Sequence, residues 1–447
     1  MSTPTLLDLT ASMAPYLDSH LILPLLDALR ESGHQDAQKI TKEKIAILGK
    51  TNMVDVMCDE YERPECDASI KSIFKQEKAN IDKRKDEIFA ELDNEPEVVK
   101  EVSAFFANTE LVAGLKSANG FNADNLASEY GITSDKLTAY YKNAKFKYEC
   151  GMYDQAEQML SLFLSVGQAQ TSVWLGALWG RLSCRILQAK WDETVGDFQA
   201  IREAIENRNI QPLDQIRLRA WLLHWGLFVF CNRQDGVDGL MDLFSDKAYQ
   251  QTVENLCPWM LRYYTMVVIL NPGRRGGMLR SILEEIRSLG YLYSDPITQF
   301  LESLYTHFDF DEAHNRLVEC QSLIKHDFFL QKFADRFTHE ARVLICEMYC
   351  TINRKVDLSM LAKKLQMSEE ESEKWMVQMV RGSSSSHAID AKIDSASKQV
   401  IMAMSSRSTH QQVMDKTGEF TQRATSLAVA LESVAKDQKD LIKAIRT

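Results

Sequence analysis

Three four-residue signatures constrain the middle of this chain more than any other feature. Tyr153-Asp154-Gln155-Ala156, Trp191-Asp192-Glu193-Thr194 and Phe310-Asp311-Glu312-Ala313 share the order aromatic, Asp, polar, small, and each follows an apolar helical stretch and a turn. The first two start 38 residues apart and the last two 119 apart, close to three periods of forty. Turn signals at Asn232 to Gly236 and Asn271 to Gly277 fall where further copies belong. A period of this length predicts a helical-repeat solenoid. The small residue lets the second helix of a pair approach the first, and the aromatic fills the gap to the next pair. A single pair cannot bury its apolar face alone, so the stack needs a cap.

The C-terminal quarter supplies a candidate for it. After the apolar helix from Phe337 to Tyr349, Leu358, Leu361 and Leu365 share one face of a short helix. Ser368 and Glu371 then form a capping box before a helix carrying Trp375, Met376, Met379 and Val380 inward. Beyond Gly382 the period falls to two in Ile389, Ala391 and Ile393, and a turn leads into Val400-Ile401-Met402-Ala403. Three helices followed by a hairpin read as a winged helix. The expected class is therefore mainly α, a solenoid capped by a winged helix and a long C-terminal helix. The expected domains are 1–130 (N-terminal helical repeats), 131–335 (the main repeats), 336–405 (winged helix) and 406–447 (terminal helix).

That last helix carries a heptad stripe. Val413, Phe420, Leu427, Val434 and Leu441 recur every seven residues, and the positions four further on are Thr417, Ala424, Leu431, Gln438 and Ile445. A helix from His410 to Arg446 is roughly 54 Å long, against a diameter of about 28 Å for a winged helix of about 70 residues. An apolar seam that overhangs its own domain calls for a partner helix, or for folding back over the repeats.

Composition bounds the function. A chain of 447 residues with net charge −11 is ill suited to coating nucleic acid. The second winged-helix helix, Ser368 to Arg381, holds four acidic and two basic residues, which disfavours duplex reading. RNA contact is at most weak or indirect, with Asn271-Pro272-Gly273-Arg274-Arg275-Gly276-Gly277, expected as an exposed turn, the one basic glycine-rich stretch to offer it. The longest apolar run, Trp221 to Cys231, is too short for a membrane span. The N-terminus lacks a signal peptide, so a cytoplasmic or nuclear protein is expected. Nine scattered cysteines suit buried thiols. His339, Cys346 and Cys350 share a helix face but lack a fourth ligand, and His339-Glu340 lacks the second imidazole of a zinc-protease motif. No catalytic, metal or cofactor site is expected. Toward the N-terminus, Pro15 and Pro24 are expected to open or bend short helices, and Lys39 to Tyr61 reads as helical.

Several stretches carry a resemblance. They are Thr51-Asn52-Met53-Val54-Asp55, Ala144-Lys145-Phe146-Lys147-Tyr148-Glu149-Cys150-Gly151, the run Trp221 to Phe230, Asp295-Pro296-Ile297-Thr298, Phe308-Asp309-Phe310-Asp311, His326-Asp327-Phe328-Phe329-Leu330 and Asp390-Ala391-Lys392-Ile393-Asp394. In these the chain resembles the PCI-domain scaffold subunits of the proteasome lid, the COP9 signalosome and translation initiation factor 3, and most closely the initiation-factor members. Ser383 to Ser386 departs from the pattern as a small polar insertion. The resemblance implies a non-catalytic scaffold of the initiation factor that supports mRNA recruitment to the small ribosomal subunit. The implied partners are neighbouring PCI subunits, subunit d and the scaffold protein of the cap-binding complex. It also implies that the wing residues Val400, Ile401 and Met402, and Val413, Phe420, Leu427, Leu431, Val434 and Leu441 of the terminal helix, form subunit interfaces. The alternatives are a lid or signalosome subunit and a winged-helix nucleic-acid binder.

Overall fold

A computed structural model describes residues 8–446 except 34–35, 64–67, 109–111, 113, 115–122, 167–171, 208–209, 354, 366–367, 382–390, 395–398 and 403–408. The chain forms two compact units: the first runs to Tyr349 and the second takes most of the chain from Cys350 onward. The boundaries expected at 130 and 335 both fall within the first unit.

That unit is helical throughout its described residues. Its repeats start where the signatures stand, with helices Tyr153–Ser165, Trp191–Asn207 and Phe310–His326. Ala156, Thr194 and Ala313, the small residues of the three copies, are completely buried. Two further helices, Gly236–Ser245 and Pro272–Leu289, begin at the expected intermediate turns. In the first of these Gly239 takes the small position, and a Cβ there would lie 2.4 Å from the Phe230 ring. The second corrects an expectation, because Pro272 to Gly277 is the first turn of a helix rather than a loop. Proline suits that place because it has no amide hydrogen to lose there.

Arg275, in the small position of this copy, is buried with its guanidinium 2.7 Å from Glu347. Arg274 pairs with Asp242 at 2.6 Å, so the two cations that suggested RNA contact both serve intramolecular ion pairs.

Ionic side chains lace the repeats together. Arg185 reaches Glu157 (2.9 Å) on the preceding helix and Asp197 (2.8 Å) on the following one, while Arg181 also binds Asp197. These groups are largely buried, so each depends on its partner for solvation.

The N-terminal residues do not stay apart from the repeats. Pro24 lies inside the helix Ser19–Ser32, where the opening or a bend of a short helix was expected, and Lys39–Tyr61 splits into Ala37–Leu48 and Val54–Glu62 around Gly49 to Met53. Pro15 opens a short 3-10 turn, Ala14–Tyr16. Tyr16 stacks on the His224 ring (4.7 Å, 8°), and its carbonyl accepts a hydrogen bond from Trp225 Nε1 at 3.2 Å. His20 Nδ1 lies 2.9 Å from the Tyr153 hydroxyl, and the Tyr148 hydroxyl donates to Asp18 at 3.0 Å. Trp259 Nε1 donates to His224 Nε2 at 3.1 Å, so the His224 proton sits on Nδ1, 2.7 Å from the Ala220 carbonyl. The run Trp221 to Phe230 is thus repeat core with a docked N-terminal segment against it.

One cation organises the far end of this unit. Arg262 is fully buried; its Nε donates to Asp295 Oδ2 (2.9 Å) and its Nη1 to Asp327 Oδ2 (3.1 Å). Tyr293 and Tyr263 hydroxyls donate to the same two oxygens. The other oxygens serve the backbone: Asp295 Oδ1 caps Pro296–Glu302 through the Thr298 amide, and Asp327 Oδ1 accepts from the amides of Phe329 and Leu330. Burial works against the charge on Arg262, yet Tyr293, Asp295 and Asp327 beside it hold its pKa well above the ordinary arginine value.

Two outcomes follow for stability. Arg262→Met should cost about 3–5 kcal/mol in chemical denaturation of the first unit, because two carboxylates then lose their buried counter-charge. Burial lowers the His224 pKa from 6.5 to about 4. Its contribution is intact above pH 6.5 and is lost as pH falls toward 4, by about 3 kcal/mol in all. His224→Gln, which keeps an acceptor for Trp259 and cannot ionise, should flatten denaturation midpoints across that window.

Candidate assembly surfaces

The second unit opens with a strand that sequence periodicity missed. β1 (Lys355–Asp357), β2 (Ala391–Asp394) and β3 (Gln399–Met402) form an antiparallel sheet in the order β1-β3-β2. Helices Leu358–Leu365 and Glu369–Arg381 lie between β1 and β2 in the chain, which completes a winged helix. The capping box is present in both directions: the Ser368 amide donates to Glu371 and the Glu371 amide to Ser368 Oγ, each at 3.2 Å. Trp375 and Met376 are buried, while Glu370, Glu371 and Lys374 face solvent. The outer face therefore offers little positive charge to a phosphate backbone. The polar stretch Ser383 to Ser386 lies outside the described residues.

Being central, β3 has both backbone edges paired. Val400 stands opposite Val356 on one side and Ile393 on the other, and its side chain is 0% exposed. It is a core residue of the sheet and not a surface for a partner, which corrects its expected role. Alternation along the strand turns Ile401 to the opposite face, between Lys355 and Lys392, and leaves it half-buried. Met402, across from Ala391, is also half-buried. Among the described residues the unpaired edges belong to β1 and β2.

The terminal helix is continuous from Thr409 to Arg446. Val413, Phe420, Leu427 and Leu431 are 57%, 67%, 64% and 66% exposed. Met414 and Val429 are exposed as well. The side chains of Val434 and Leu441 lie outside the described residues. Thr417, Thr421 and Thr425 each donate a hydroxyl to the carbonyl one turn back, at 2.7–2.8 Å. Satisfied within the helix, those hydroxyls do not need water, so an approaching apolar surface can cover them at little desolvation cost.

Among the described residues, no His, Cys, Asp and Glu side chains cluster as a metal site. His339 is exposed while Cys346 and Cys350 are buried, so the three do not present one ligand set. No described helix is long and apolar enough to cross a membrane.

Comparison with known proteins places this chain in a family. The profile of a family described as eIF3 subunit 6 N terminal domain matches residues 8–147, and that of the PCI domain matches residues 314–403. The E subunit of eukaryotic translation initiation factor 3 from Aspergillus terreus is 35% identical over 418 residues, 92% of this chain and 91% of the relative. The proteins of the same name from Aspergillus niger (34% over 433 residues, 95% and 93%) and Yarrowia lipolytica (33% over 426 residues, 94% and 98%) are similar over a comparable span.

The sheet geometry separates core from surface. Val400→Ala should destabilise the second unit by about 2 kcal/mol, read from faster amide exchange in β1 and β3, whereas Ile401→Ala should cost less than half as much.

Proposed function

The chain belongs to the E-subunit family of eukaryotic translation initiation factor 3, and from that premise we propose how its two units divide the work of a non-catalytic scaffold. The repeats form a rigid body, and the second unit joins neighbouring PCI-domain subunits of the factor. The exposed apolar run Val413, Phe420, Leu427 and Leu431 on Thr409–Arg446 is the observation that carries this reading. Several large side chains on one helix stay in water at a cost of about 1.5–3 kcal/mol each relative to burial, so a facing helix gains most of that on contact. Val434 and Leu441 extend the heptad pattern toward the end of the helix, and we assign them to the same surface. In the wing, Ile401 and Met402 are the candidates for contact, with Val400 holding their strand in place.

In this reading the chain has no active site and holds no cofactor. It works in the cytoplasm, where the assembled factor supports mRNA recruitment to the small ribosomal subunit. Subunit d and the scaffold protein of the cap-binding complex are the further partners proposed, without assigned residues. The lid and signalosome alternatives lose their motivation, since relatives spanning over nine-tenths of the chain carry the initiation-factor name.

Removal of residues 409–447 should leave the first unit's circular dichroism and melting unchanged while abolishing co-purification with other subunits of the factor. The double change Phe420→Ser with Leu427→Ser should lower recovery of partners in the same direction. Full recovery of the complex with either variant would remove the proposal.

A further inference from the structure

A second surface lies far along the chain from those just described. The turn at Asn52 and Met53, the start of the helix Val54–Glu62, one face of the helix Ala68–Asp93 and the turn Cys150-Gly151 surround a cavity of ≈ 260 Å³. Polar contacts fix the turn that forms one wall. The Asn52 amide donates to the Glu149 carbonyl at 3.1 Å. Arg84 spends its guanidinium on the carbonyls of Gly49 and Thr51 and on Asn52 Oδ1. Gly151 has φ +84°, which favours glycine at this turn, and its α-carbon lies close against Met53 of the wall, where an added Cβ would sit 3.3 Å from Met53 Cε.

Much of the lining is apolar. Met53, Val56 and Ile88 pack against the small core of Leu23, Leu48, Val54 and Met57, whereas Phe89 is 46% exposed beside Leu92. Lys85 Nζ lies 5.7 Å from the Phe89 ring and 2.5 Å from Asp55, so the one lysine in the lining is already paired. Glu91 and Glu149 both help to push the Cys150 thiol up to about 11, behind the larger effect of burial. Asp55, Asp59 and Asp82 act in the same direction on Cys58, against Lys85. Lys145 with Glu149 and Lys85 with Asp55 pair off, and Arg84 is turned to the backbone, which leaves the exposed carboxylates of Glu91 and Asp82 as the excess charge beside an apolar floor.

We propose that this groove docks a polypeptide segment of a partner protein that presents a bulky apolar side chain flanked by lysines or arginines. The apolar residue covers Phe89 and Leu92, and the flanking cations meet Glu91 and Asp82. The acidic rim repels phosphates, which disfavours RNA in the same place.

A fluorescein-labelled Lys-Lys-Trp-Leu-Lys-Lys peptide, titrated into the full chain and followed by anisotropy, tests this. Saturable binding is expected, and Phe89→Ser and, separately, the exposed charge reversal Glu91→Lys should each weaken it about tenfold or more. A peptide with Ser-Ser in place of Trp-Leu, or Glu in place of Lys, should bind at least as weakly as that. Binding unchanged in both variants would reduce the interaction to general attraction by an acidic protein and overturn the proposal, as would absence of saturable binding. Displacement of the probe by a short single-stranded RNA would assign the groove to nucleic acid instead. Neither substitution touches the winged helix or terminal helix, so failure here leaves the assembly reading standing.

Discussion

A guanidinium without access to water can persist only if other groups replace its solvation, and Arg262 has that replacement from two aspartates and two tyrosines. The consequence reaches well beyond one ion pair. Asp295 must also start the helix Pro296–Glu302, and Asp327 must also shape the turn before Ala334–Ile352. Three segments separated by 33 and 65 residues are thereby brought to one point. Two of the stretches that carry the family resemblance, Asp295 to Thr298 and His326 to Leu330, are the two ends of this arrangement. Both stretches help to shelter one buried charge.

The rest of the first unit repeats the strategy on a smaller scale. Arg185 and Asp197 bridge successive helices, and Glu60 joins Lys44 and Arg30 among the N-terminal ones. Polar groups inside a helical stack fix its register more sharply than interchangeable aliphatic contacts do. The second unit is built differently. Its short sheet buries Val356 and Val400, and its long helix keeps aliphatic and aromatic side chains in water. Internal polar pairing marks the first unit, and exposed apolar side chains mark the second.

What the sequence disclosed depended on how local the signal was. Helix starts at Tyr153, Trp191 and Phe310, and the Ser368–Glu371 box, are written in four consecutive residues each, so they could be read directly. Lys355 to Asp357 has no period of its own and becomes a strand only because β3 lies beside it; once that strand exists, Val400 is enclosed on both sides. Pro272 with its glycines has the composition of a turn, and only the helix that follows shows proline at a permitted first position. Arg262 resembles any arginine in an apolar run, since its partners are distant in the chain. The groove beside Phe89 was hidden for the same reason: Met53 and Gly151 meet across almost a hundred residues.

The docking of the first helices on the later repeats also sets an order of events in the life of the chain. Met13 ends beside the Tyr263 hydroxyl, 250 residues downstream, and Tyr16 lies against His224 and Trp225. At a ribosomal rate of roughly 5–20 residues per second, the N-terminal segment emerges some tens of seconds before the surface that receives it. During that interval Met13 and Tyr16 lack the Tyr263, His224 and Trp225 side chains they meet in the finished fold. The segment around Met13 and Tyr16 therefore settles only after the repeats that receive it have been synthesised.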